Sequence, residues 1–322
     1  MDGEIAVSVV VASHARHLRL RWLLNALEEQ TLVPGRWEVV VVHDYDPATA
    51  ERVIDRHPLK EAGVLNQLAI PAGAGSPSRQ RNLGWRSASA ELIAFTDDDC
   101  RPEPEWLERL VEAAGRAPGE IVQGATRPDP LERNVLAAPH VRTMSIDPVG
   151  PYAQTCNILY PCELLERLGG FDEEAIAGED VGLSLRARAA GIRISAAPDA
   201  IVNHAVESHT LPGILRQNLK WRHLAYLAKR HPEMRRQFPL GVFWDAEHVW
   251  ATTALVAVVG ARWNRALLAL AAPYALHASR RRGRGWRRRA IAVAEMPGLA
   301  VRQIAEVMGL AAGSVRHRTF LL

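Results

Sequence analysis

Unbroken apolar runs alternate, along the N-terminal part of the chain, with segments whose apolar positions recur every three or four residues. Ile5 to Ala12 is a Val-rich run interrupted only by Ser8, as expected of a strand buried on both faces of a parallel sheet. Between Arg16 and Gln30 the period changes, and Leu20, Leu23, Leu24 and Leu27 fall on one face of a helix. Pro34 and Gly35 end it; Trp37 to Val42 reads as a second buried strand closing on His43-Asp44. A helix over 47–57, a short strand from Leu65 to Ile70 and, past the Gly73–Pro77 loop, a helix from Ser78 to Ser89 follow. Leu92 to Thr96 is the fourth strand. Pro102 and Pro104 restart the chain as a helix with Trp106, Leu107, Leu110 and Val111 on its apolar side, and Ile121 to Ala125 is the fifth strand. The alternation predicts an α/β fold with a mostly parallel, doubly wound sheet, whose ligands bind at the carboxyl ends of the strands. Asp44 and Asp97-Asp98-Asp99 both stand at such ends.

Residues 126–152 are Pro-rich and irregular, suited to an active-site flap. Gln154 to Tyr160 reads as a strand, Pro161 to Leu168 as a short helix, Gly178 to Ala190 as a helix stopped by Gly191, and Ile201 to His204 as strand-like. Helical segments follow, and the composition shifts near residue 240. Val249 to Ala261 and Ala266 to Ala278 are apolar runs separated by Arg262-Trp263-Asn264-Arg265. Each is shorter than the roughly 20 residues that span a bilayer. The block RRRGRGWRRR, Arg280 to Arg289, comes next. Short apolar helices beside dense arginine suit a surface-bound or re-entrant anchor at an anionic, cytoplasmic membrane face. The alternative is a helical subdomain packed on the rest of the chain or on a second protomer. Gly298 to Arg316 reads as an ordinary amphipathic helix.

Composition adds exclusions. An apolar fraction of 48% in 322 residues suits a globular core, and the near-balance of charge, +3 overall, is no footprint of nucleic-acid binding. Lysine is confined to Lys60, Lys220 and Lys229, so arginine carries the positive charge. Cys100, Cys156 and Cys162 cannot all pair and lack zinc-type spacing, which fits a reducing, cytoplasmic setting. The N-terminus has no basic segment or small-residue cleavage site, so its apolar run reads as a strand and not a signal peptide.

The chemistry concentrates at Asp97-Asp98-Asp99. Carboxylates spaced Asp-x-Asp can both reach one hard divalent cation, Mg²⁺ or Mn²⁺, and such a cation neutralises charge on a departing diphosphate. An acidic run can instead be a solvated loop capping the next helix. Here three like charges abut an apolar strand, where repulsion calls for a compensating cation.

Four ordered segments then carry a resemblance: VSVVVASHARHLRLRWLLNALEEQT, WEVVVVHDYD, SPSRQRNLGWRSASAELIAFTDDDCRPEPEWL and GGFDEEAIAGEDVGLSLRARAAG. Over roughly residues 5–230 the chain resembles a family 2 glycosyltransferase of the GT-A fold, a Rossmann-like nucleotide-sugar-binding architecture. The resemblance implies a catalytic domain over residues 1–235 and a helical, partly apolar, Arg-rich appendage over 236–322. It implies that Asp99 holds the metal, that Asp97 serves ribose and metal, and that Asp98 supports the donor site. Ala12, Ser13 and His14 take the place where many relatives carry Pro and an aromatic residue, and His43-Asp44 the place where paired acids are common. Asp44 is the implied ribose or base contact, with a turn-forming role before Pro47 as its alternative. Arg81-Asn82 match a segment near the donor diphosphate; Arg81 can otherwise be an exposed helix residue. Glu179-Asp180 follow the family's approach Gly169-Gly170-Phe171-Asp172. That match makes Asp180 the general base and Glu179 an acceptor or supporting contact, although acids also favour a helix's first turn for its own sake. His204 matches a region where many GT-A enzymes complete the metal shell. Gln217-Asn218-Leu219-Lys220-Trp221 is similar to the acceptor motif of polymerising relatives, with Lys in place of Arg. Trp221 can stack on an acceptor sugar or sit on an amphipathic helix.

The implied activity is metal-dependent, inverting transfer from a nucleotide-sugar donor to a glycan, cell-envelope or lipid-linked acceptor, in a single displacement. A sugar-1-phosphate nucleotidyltransferase is a rival, but it needs a Gly-rich first loop that SHARH does not supply. A noncatalytic nucleotide-sugar-binding protein would be expected to have lost the acids retained at Asp97, Asp99 and Asp180. An aspartyl phosphatase would place its acidic strand first, not fourth.

Overall fold

A computed structural model describes residues 4–322. The chain divides into two compact units: residues up to Ala137 with Val141–Glu207, and Ala138–His140 with Ser208–Leu322.

The first unit is built on eight strands: β1 Val7–Ser13, β2 Trp37–His43, β3 Leu65–Ala69, β4 Leu92–Asp97, β5 Cys100–Pro102, β6 Ile121–Pro128, β7 Asn157–Pro161 and β8 Ile194–His204. They form one sheet in the order β3-β2-β1-β4-β7-β6-β8-β5. Strands β3, β2, β1 and β4 run parallel, as do β6 and β8. Two strands are reversed: β7 against β4 and β6, and β5 against β8. The sheet is therefore mixed but mostly parallel. The reversal of β7 follows from its connection, since residues 129–156 contain no α-helix to carry a parallel crossover.

Burial explains the patterns. Val7, Val9 and Val11 face a core shared with Leu20, Leu23, Leu24 and Leu27 of helix α1, His17–Glu28. Val10 faces the opposite core, with Trp85, Ile93 and Phe95. Each such side chain contributes roughly 1.5–3 kcal/mol by leaving water, so β1 is held from both faces. Helix α2, Pro77–Ser87, starts where Ser76 accepts a hydrogen bond from the Arg79 amide and Pro77 occupies the first turn. Gly84 lets α2 lie close on the sheet, because a Cβ there would come within 2.4 Å of Val10. Helix α3, Trp106–Arg116, packs into the same core as α1, whereas α4, Cys162–Leu168, and α5, Glu179–Ala189, join α2 in the opposite core. The 47–57 segment is helical in two short pieces, Pro47–Ala50 and Glu51–Asp55.

The second unit contains α6 Leu211–Asn218, α7 Leu224–Arg230, α8 Ala246–Gly260, α9 Ala272–Arg280 and the long α10 Trp286–His317. Asn218 donates to Glu306, and His248 lies 3.3 Å from the same carboxylate, so α6, α8 and α10 share a buried polar contact. Residues 208–235 thus belong with the helical unit, which begins earlier in the chain than the composition shift near 240 implies. Among the described residues no helix is long and apolar enough to cross a membrane.

Candidate active site

The strand ends bring the acidic run together with the loop after β1. Ala12 pairs with Asp97 across the sheet, and Ser13 with His43. Ser13 donates to Asp98 at 2.7 Å, and its hydroxyl lies 2.6 Å from that of Tyr45. Ala15 adopts a left-handed φ of 57°, an unfavourable conformation for a residue with a Cβ. On either side of it, His14 contacts Asp44 at 2.8 Å while Arg16 donates to Asp99 and lies 3.5 Å from Asp98. Asp44 also accepts from the Gly73 amide, whereas the turn before Pro47 is capped by Asp46.

Each acid has a distinct environment. Burial pushes the Asp98 carboxyl up to about 7, opposed by the Ser13 hydrogen bond and reinforced by Asp99. Asp99 is raised chiefly by burial, against the pull of His204, with Asp97 raising it further. Burial opposes the Arg16 charge, but Asp99 and then Asp98 hold its guanidinium above the ordinary value. Tyr45 is pushed up to about 12, mainly by burial, and so stays a neutral hydroxyl.

His204 reaches Asp99 through a short strand that hydrophobic periodicity does not reveal. Strand β5 follows the aspartates at once and pairs Cys100 with His204 in antiparallel register. The His204 Nε2 thereby stands 3.7 Å from Asp99, while Nδ1 lies 2.9 Å from the Ala205 carbonyl. Asp99, Cys100 and His204 each offer a ligand atom, all within 4.8 Å of one another. Burial drives the Cys100 thiol well above its ordinary value, so it is a poor partner for a hard cation, whereas carboxylate and imidazole suit one.

The second acidic pair enters at the start of α5. Gly178, at φ 77°, turns the chain sharply, a conformation glycine adopts without cost, and Glu179 and Asp180 follow in the first turn. Arg81 links them to the first cluster, donating to Glu179 at 2.6 Å and to Asp97 at 2.7 Å. Burial works against the Arg81 charge, but Asp97 and Glu179 outweigh it and hold the guanidinium above its ordinary value. Arg81 is 6% exposed, and its Nε finds no hydrogen-bond partner among the described residues. Asp180 is partly buried and accepts from the Val181 amide at 2.8 Å. Burial, then Glu179, raises its carboxyl to about 7.

Two residues with implied ligand roles are otherwise engaged. Asn82 donates to the Phe171 carbonyl and to Glu173, and accepts from the Phe171 amide and the Trp85 indole. Its amide fastens α2 to the loop before Gly178 and has no capacity free for a diphosphate. Trp221 lies in the helical unit, edge-on to Trp244 and His248. Arg16, Tyr45 and Cys100 belong to the cluster but were not singled out by the sequence. The sequence signal for Arg16 is its place three residues past the end of β1.

Comparison with known proteins identifies the family and the fold. Residues 8–166 match the model of Glycosyl transferase family 2, and residues 92–279 match that of Glycosyl transferase family group 2. The chain belongs to the family 2 glycosyltransferases. Glycosyltransferase AglE of Haloferax volcanii is 28% identical over 210 residues, 62% of this chain and 66% of that protein. The pre-mycofactocin glycosyltransferase of Mycobacterium tuberculosis is 30% identical over 193 residues, 54% of this chain and 39% of its own. The chain thus spans less than two thirds of these relatives' lengths. Mannosyltransferase PcManGT from Pyrobaculum calidifontis, solved in complex with GDP-Man and Mn²⁺, is similar at a TM-score of 0.55 and 20% identity. That likeness covers 97% of this chain and 86% of that one. It establishes the GT-A fold.

Proposed function

We propose that this protein transfers a sugar from a nucleotide-diphosphate sugar to a hydroxyl acceptor with inversion at the anomeric carbon. The observation that carries the reading is the Arg81 bridge, which ties Asp97 to Glu179 and so joins the Asp97–Asp99 run to the Glu179–Asp180 pair. The first group suits donor binding. His14 and Asp44, joined at the ends of β1 and β2, are the proposed nucleoside contacts. Asp97 is the ribose contact, and Asp98, buried and bonded by Ser13, shapes the floor beneath it.

Asp99 and His204, with Asp97, would hold Mg²⁺ or Mn²⁺, whose charge would stabilise the departing diphosphate. That a mannosyltransferase of the same fold was solved with GDP-Man and Mn²⁺ supports this donor class. Asp180 is the general base: a carboxylate raised to about 7 can take a proton from an attacking hydroxyl near neutral pH. Glu179 raises Asp180 and keeps Arg81 in place. Lipid-linked and envelope glycans are the proposed acceptor classes.

The test is a panel of UDP-, GDP- and dTDP-sugars, read first by thermal shift with Mn²⁺ and then by nucleotide release with acceptor. One donor class should raise the melting temperature and be consumed; no shift and no release with any of them would contradict the reading.

A further inference from the structure

A surface helix in water buries its large apolar residues and exposes its small ones. Helix α8 does the reverse. Its buried positions are His248, Ala251, Ala257 and Gly260, while Leu255, Val256, Val258 and Val259 are exposed. Val256 is 59% and Val258 61% exposed. The turn that follows adds exposed Trp263, Leu268 and Leu270, and α9 adds Leu276. Small residues on the buried side make this inversion possible: Ala251 of α8 and Ala278 of α9 join Tyr274 and Leu299 in the core between α8, α9 and α10.

Along this stretch the sequence charge is of one sign, with Arg282 paired to Glu295 and His277 near Glu247 just outside it. From His248 to Ala294 the chain has nine arginines and no aspartate or glutamate. Two exposed tryptophans mark the edge, Trp263 at 73% and Trp286 at 77%, each with an arginine over its ring: Arg262 at 4.1 Å and Arg287 at 5.4 Å. Tryptophan and arginine together are the pair that settles where hydrocarbon meets headgroups. Helix α8 has 15 residues and so rises about 22 Å, short of the roughly 30 Å of a hydrocarbon core.

We infer that the exposed face of α8, the Trp263 turn and α9 is a docking surface for an anionic lipid bilayer. The large aliphatic side chains enter the acyl boundary, and the Arg280–Arg289 segment engages the headgroups. The length of α8 makes this a helix lying in the interface, not one that spans. Charge selects this occupant: a second copy would bring the same arginines against themselves.

The test is flotation of the full chain with phosphatidylcholine vesicles and with phosphatidylcholine–phosphatidylglycerol vesicles. The chain floats with the second and not the first. Arg287→Gln, Arg288→Gln and Arg289→Gln together cut the partition about a hundredfold at low salt, at roughly fivefold per charge. Val258→Asp or Trp263→Asp cuts it at least about tenfold with an unchanged circular dichroism spectrum. If those variants fail to fold, brominated phosphatidylglycerol vesicles quench the tryptophan fluorescence of the native chain. Absence of flotation and quenching, or equal flotation by folded variants, overturns the inference. So does a native dimer that Val258→Asp dissociates without any vesicle binding. None of these readouts involves a nucleotide sugar, so they succeed or fail independently of the transfer reaction.

Discussion

The imidazole Nε2 of His204 stands 3.7 Å from a carboxylate oxygen of Asp99, across the two-stranded contact made by Cys100–Pro102 and the end of β8. Two residues a hundred positions apart thus converge on one point through a three-residue strand. If they share a divalent cation, His204→Ala weakens Mn²⁺ binding by about tenfold to a hundredfold. Titration of Mn²⁺ in the presence of nucleoside diphosphate, followed by electron paramagnetic resonance, measures it; unchanged affinity would remove His204 from the metal shell.

Arg16 neutralises the same carboxylate from the other side. A cation arriving at Asp99 competes with this guanidinium, which is the less buried partner of the pair. Arg16→Gln should therefore tighten Mn²⁺ binding to the donor-free protein, by about tenfold, with the gain shrinking in high salt. Calorimetric titration at two ionic strengths checks it, and weaker binding would show that Arg16 does not oppose the metal.

Arg81 is the cationic link between Asp97 and Glu179 in this site. Removing it takes from both acids the guanidinium that each of them bonds. Arg81→Ala should cost about 3–5 kcal/mol of folding stability, the range for breaking a buried pair on one side. Lysine, with one charged nitrogen in place of a planar fork, should recover only part of this. Urea unfolding of the two variants measures the difference, and a loss below about 1 kcal/mol in Arg81→Ala would contradict the bridge's role.

If Asp180 is the general base, a pH dependence follows. Its folded value is raised to about 7 by burial and then by Glu179. A general base acts when deprotonated, so transfer should be slow below pH 7, rise through it and level off above. Glu179→Gln removes one raising influence and should move the rising limb to lower pH. Initial rates at saturating donor between acid and alkaline pH check both statements; an unmoved limb would separate Glu179 from the base.

Much of this was legible beforehand because burial writes itself into periodicity. Val7 to Val11 and Leu20 to Leu27 had to be a two-sided strand and a one-sided helix, and the fold's first half follows from such segments. The carboxyl ends of β1, β2 and β4 could be located from the same pattern, and with them His14, Asp44 and Asp97. What periodicity lacks is direction and very short pairing. It could not show that β7 runs backwards, or that Cys100–Pro102 is a strand at all, since three residues carry no period. It also could not reveal which polar atoms the protein uses itself. Asn82 sits beside Arg81 in sequence, but its four hydrogen bonds to Phe171, Glu173 and Trp85 make it a fastening for the α2–Gly178 region. Arg16 lay unmarked because its partners are aspartates more than eighty positions away.

Sugar transfer by purified native protein, Asp99→Ala and Asp180→Asn, assayed with the donor selected by thermal shift, tests the central claim most directly. The account predicts turnover by the native chain alone, with Asp180→Asn keeping Mn²⁺-dependent donor binding and Asp99→Ala losing it. Full turnover by either variant would contradict the account.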